Sequence, residues 1–161
     1  MRKIKVIAVL FSAVLLVGVL AACGASVIDK PLPSEGGEMV EVEGFCKMEV
    51  DGTTITVTGE TNFIAGTLIH ISIVAQSGEE IDSVKVNKSE DAISQTFQIT
   101  DDKYKNVTSF TAFISIAPSL YGKQSESVQN TYGKKFEFIS SEHIWNKDGI
   151  IVMFASETYD M

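Results

Sequence analysis

The chain has 161 residues, 45% of them hydrophobic, a formal net charge of −8 at pH 7 and a pI near 4.7. The acidic balance argues against nucleic acid as a partner and against a polybasic contact with anionic lipid, because both need clustered Lys and Arg. The length suits one domain with a sizeable core, and two cysteines are too few for a disulfide-built scaffold.

In chain order, Arg2, Lys3 and Lys5 make a cationic start, followed by an apolar run from Val6 to Ala22 broken by Ser12 and Gly18. Charged region, apolar region and small-residue site in this order describe a secretory signal peptide over residues 1–22. The run is just short of the ~20 residues that a spanning helix needs, and no positive stop-transfer cluster follows it. Removing it takes away three positive charges, so the formal net charge goes from −8 to −11.

Leu20-Ala21-Ala22-Cys23 resembles the lipobox of bacterial lipoproteins: an aliphatic residue, two small residues and a cysteine. The resemblance implies cleavage before Cys23 and a diacylglyceryl group on its thiol. Two acyl chains give stable anchoring where one is marginal, at ~0.8 kcal/mol per buried CH₂. A plain transmembrane helix and a cleaved signal without lipid are the competing readings. Residues 23–43 then form the lipidated cysteine and a tether; Pro31, Pro33, Ser34, Gly36 and Gly37, with five acidic residues, suit a segment that does not pack. On the square-root law such a tether spans about 25 Å, which holds the folded part close to the bilayer.

From residue 44 onward the hydrophobic period is two. Phe45–Val50 and Thr53–Gly59 flank Asp51-Gly52, a strong hairpin signal. Thr67–Ala75 sets Ile69, Ile71 and Ile73 on one face and His70 and Ser72 on the other; Ile81–Asn87, Asp91–Ile99 and Val107–Ala117 follow. Phe136–Ile139 and Ile150–Ala155 are separated by a loop ending in Lys147-Asp148-Gly149, and no segment carries a sustained helical stripe. Short strands at roughly ten-residue spacing predict an all-β antiparallel sandwich over residues 44–161.

Gly59-Glu60-Thr61-Asn62-Phe63-Ile64-Ala65-Gly66-Thr67-Leu68 resembles a turn in small Ig-like domains of Gram-positive secreted proteins. Ser127-Val128-Gln129 with Tyr132-Gly133 is similar to the closing segment of those domains. The resemblance covers Thr53 to Gly133 and implies an Ig-like or fibronectin III-like sandwich at the cell surface, with Asn and Gly supplying turn conformations and no shared catalytic activity. Residues 134–161 continue past that pattern. Tyr104, just ahead of the Val107 strand, resembles a tyrosine corner, whose hydroxyl bonds backbone upstream; an exposed loop tyrosine is the alternative.

Candidate chemistry is sparse. Cys46 shares a strand face with Met48 and Val50 and reads as a buried, inert thiol. His70 reads as a surface or edge histidine, and with His143 it lacks zinc-ligand spacing. Glu79-Glu80, Glu90-Asp91 and Asp101-Asp102 offer oxygen ligands but match no calcium loop, and read as solvated turns. Trp145, Tyr121 and Tyr132 are candidate ring-stacking residues for sugars, weighed against core packing. No motif calls for a cofactor or a metal.

These features lead to the expectation of a non-enzymatic lipoprotein on the extracytoplasmic face of the cell membrane, its sandwich binding an envelope protein. A carbohydrate-binding module acting on wall polymers is the alternative, and a small hydrolase is the third. Replacing the thiol in Cys23→Ser should leave the chain unprocessed and free of lipid. Mature, membrane-bound protein from that variant, on metabolic labelling with a fatty acid and fractionation, would contradict the lipobox reading.

Overall fold

A computed structural model describes residues 38–90, 92–146 and 150–161. The signal segment, Cys23, the tether up to residue 37, Asp91 and the Lys147-Asp148-Gly149 turn lie outside the described residues.

The elements in chain order are β1 (Val40–Glu41), β2 (Gly44–Asp51), β3 (Thr54–Thr61), β4 (Leu68–Ala75), β5 (Glu80–Asn87), β6 (Ala92–Gln98), α1 (Asp101–Tyr104), β7 (Ser109–Ile116), α2 (Glu126–Tyr132), β8 (Ile139–Ser140), β9 (Ile144–Asn146), β10 (Ile150–Ala155) and β11 (Tyr159–Asp160). Two antiparallel sheets face each other, so the fold is an all-β sandwich. The smaller has the order β2-β3-β6. The larger has the order β5-β4-β7-β10-β9, and β11 extends the β10 side of β7. A short parallel pair, β1 with β8, stands apart.

Alternation builds the core. Ile69, Ile71 and Ile73 of β4, Phe110, Ala112, Ile114 and Ile116 of β7, and Val152 and Phe154 of β10 turn inward from the larger sheet. Ile55 and Val57 of β3, Ile93 and Phe97 of β6, and Cys46 of β2 meet them from the other side. The hairpin at Asp51-Gly52 forms as expected, with Gly52 at φ 57° and Asp51 opposite Thr54. Gly59 has a different task. A Cβ built there would collide with the Phe45 carbonyl oxygen of the adjacent β2 and stand 2.5 Å from Ile114 Cδ1 across the core, so its bare backbone serves both the pairing of β2 with β3 and the close approach of the two sheets.

Several expectations are corrected. The folded part begins before residue 44: Val40 pairs with Ile139, and Val42 is buried and donates its N–H to Ser140 O at 2.6 Å. Asn62 secures this segment, accepting from Glu43 N at 2.9 Å and donating to Glu41 O at 2.9 Å. It therefore contributes through its side chain, while Gly66 supplies the positive φ of that turn. Ser127–Gln129 lies in a helix, α2, capped by the Ser125 hydroxyl accepting from Val128 N. A seven-residue helix is too short to show a stripe in sequence. The strand expected over Phe136–Ile139 shrinks to β8, because Phe136 adopts φ 61° and turns the chain while its ring stays buried against Tyr132. Residues 134–161, which continue past the family resemblance, supply β10 between β7 and β9 in the larger sheet.

Among the described residues no helix is long and apolar enough to cross a membrane. Overpacking a tight core typically costs 1–3 kcal/mol, so Gly59→Ala should lower unfolding stability by about 2 kcal/mol. Urea denaturation measures this; a midpoint equal to that of the parent protein would show that the sheets have slack at this point.

Candidate functional site: the outer face of the larger sheet

An antiparallel sheet with one side in the core usually shows a polar outer side. The larger sheet departs from this. Register places His70 of β4, Ser115 of β7 and Met153 of β10 in one outward row, and Ser72, Phe113 and Ala155 in the next. Val74 stands beside Thr111, and Ile151 beside Trp145 of β9. Val74, Phe113 and Met153 are half-buried and Ile151 is buried, so apolar side chains are interspersed there with the buried polar His70, Ser72 and Ser115.

The segment after β7 folds back over the Leu68 end of β4. Gln124, buried, acts there as a substitute strand: its Oε1 accepts from Leu68 N at 2.8 Å, and its Nε2 donates to Leu68 O and Ala117 O, each at 3.0 Å. Those bonds satisfy backbone groups that would otherwise be left dry. They also position Tyr121, whose ring stacks on His70 with centroids 4.1 Å apart and planes 19° from parallel.

His70 is thus not a surface histidine. It is 4% exposed, on the expected side of its strand but covered by Tyr121. Its Nε2 lies 3.4 Å from Glu80, and its Nδ1 has no hydrogen-bond partner among the described residues. Burial lowers its pKa below the usual 6.5; the Glu80 carboxylate opposes this, and Lys85 adds to it. Desolvation outweighs the carboxylate, so the ring is neutral near pH 7, and the Nε2–H tautomer facing Glu80 fits the contact.

The other candidates separate. Cys46 is buried as expected, its thiol donating to Ala112 O at 3.6 Å, with burial pushing its pKa up to about 12. It faces the core, so the larger sheet stands between it and His70. Tyr132 is fully buried, its hydroxyl accepting the Ile64 N–H at 2.8 Å. It is a core residue and leaves the set of stacking aromatics. Tyr121 and Trp145 both belong to the outer side of the larger sheet, and Trp145 is half-exposed. Tyr104 is buried against Phe110, and its hydroxyl has no hydrogen-bond partner among the described residues, so the tyrosine-corner bond is not made. Glu79, Glu80 and Asp102 line one cavity of about 520 Å³ together with Lys103 and Lys105. Lys103 pairs with Asp82 at 2.7 Å, and no group among the described residues is arranged to hold a metal ion.

Two polar anchors escaped the sequence reading. Lys88 is buried with its Nζ on Phe63 O, and Gln124 is buried as described. Both residue types are normally exposed, so composition gave no signal.

Set against models of known families, curated proteins and solved structures, the chain shows no match.

The lowered pKa of His70 fixes a pH dependence. The unfolded chain takes up the proton first, so the stability held above pH 6.5 falls as the pH drops toward the lower folded value. Urea unfolding at pH 7.5 and pH 5 should show a larger acid loss for the parent protein than for His70→Gln. Equal losses would mean that His70 is as easily protonated folded as unfolded.

Proposed function

We propose that this is a bacterial lipoprotein with an Ig-like sandwich, held on the extracytoplasmic face of the cell membrane by diacylglycerol on Cys23. There it binds an envelope protein through the outer side of the larger sheet. The observation that carries the reading is that Val74, Phe113 and Met153, half-buried, lie on a diagonal across β4, β7 and β10 on the outer side of the sheet, where solvent favours polar residues. The groups best suited to nucleophilic chemistry favour binding over catalysis. The Cys46 thiol is pushed up to about 12 and faces the core, while His70 lies beneath Tyr121 on the other side of the sheet.

A carbohydrate-binding module is the second reading. It draws on Tyr121 and Trp145 sharing the outer side of one sheet. Loss of Tyr132 to the core weakens it.

The two readings part on substitution. Phe113→Glu with Met153→Glu should abolish recovery of a specific protein when the anchored chain is cross-linked in cells, purified and examined by mass spectrometry. Binding to insoluble wall polymer should be unaffected. Loss of polymer binding in Trp145→Ala, with the cross-linked set unchanged by the glutamates, would decide for the sugar.

A further inference from the structure

Strand directions divide the sandwich into two ends. Gly44 opens β2 opposite the last residue of β3, Thr61. His70, near the start of β4, lies opposite Ser115, near the close of β7, and Asn146 ends β9 opposite Ile150. All of these belong to one end. The chain from Cys23 also enters there, because Glu41 and Glu43 are bonded by Asn62, next to Thr61, immediately before Gly44 opens β2.

The large exposed apolar side chains are unevenly divided between the ends. Met39, Phe45, Leu120 and Trp145, at 38%, 40%, 66% and 50% exposure, all lie at the end where the chain enters. Tyr159 and Met161 belong to the other end, where β11 meets Ser109 and Phe110. Single exposed apolar residues are ordinary. Here Phe45 stands on the outer side of the smaller sheet and Trp145 on the outer side of the larger one, so the four flank the entering end from both faces of the sandwich.

We propose that this end rests on the bilayer, with Met39, Phe45, Leu120 and Trp145 entering the headgroup region. This inference rests on the lipid anchor at Cys23. The chain from Cys23 joins the sandwich at this end, where Gly44 opens β2 opposite Thr61, so this end begins nearest the anchor and the opposite one lies a further eight-residue strand, about 27 Å, away. Tryptophan favours the membrane interface, where one part of the ring is apolar and the other wet. Electrostatics does not drive the contact: Glu41, Glu43 and Glu60 are exposed at this end. Anionic lipid should therefore not strengthen it.

Trp145 is the chain's only tryptophan, so its fluorescence reports on this end alone. The experiment reconstitutes the full lipidated protein into phosphatidylcholine vesicles, with and without a minor share of phosphatidylglycerol, and uses lipids brominated near the headgroup as quenchers. The expected result is co-flotation with the vesicles, emission roughly halved by bromolipid, and no gain from phosphatidylglycerol. Leu120→Ser with Phe45→Ser should reduce the quenching while flotation persists. Flotation with an aqueous, unquenched Trp145 overturns the proposal and leaves the anchor standing. Failure to float overturns the anchor and this inference with it. Quenching that grows with phosphatidylglycerol overturns the apolar mode of contact.

Discussion

The inward side of β7 is the constraint on which the molecule depends. Phe110, Ala112, Ile114 and Ile116 are fully buried, and the strand has neighbours on both flanks. Its small residue, Ala112, receives the Cys46 thiol on its carbonyl, and its large Ile114 lies over the bare backbone of Gly59. Large side chains opposite small ones fix how closely and in what register the sheets meet, because a packed interior tolerates neither overlap nor void. Once that contact is set, the outer residues of the same strands have no freedom. Phe113 and Ser115 must face away from the core, and with them the rows that form the candidate site.

A second principle governs where the chain leaves its ladders. Buried backbone needs partners, and several polar side chains supply them in place of a strand. Gln124 serves Leu68 and Ala117, Asn62 serves Glu41 and Glu43, and Ser156 accepts from Ala112 N where β10 gives way to β11. The candidate surface depends on this. Tyr121 covers His70 because Gln124, three residues on, is held in the ladder.

The sandwich was legible because period-two alternation is a property of each strand by itself. Ile69, Ile71 and Ile73 announce a buried side of β4 without knowledge of any neighbour. What covers the other side depends on a loop some fifty residues later, so His70 read as exposed when Tyr121 in fact closes over it. For Tyr132 the alternatives of ring stacking and core packing stay open in the sequence for a related reason: an aromatic in a polar, turn-rich stretch suits either until α2 carries it into the core. Phe136 adopts a left-handed conformation rare for bulky residues, and no pattern of apolar and polar residues encodes that.

The clasp at Asn62 has a mechanical side. A domain held by its N-terminal chain receives any pull at Val40. The first structure to bear load is then the two-residue parallel pair of β1 with β8, backed by the two bonds of Asn62. In β2 the load is spread over eight paired residues. Under tension the short pair would part before the long one, freeing a few residues while the sandwich stays closed. The two facing sheets are thereby insulated from a pull on the chain ahead of them.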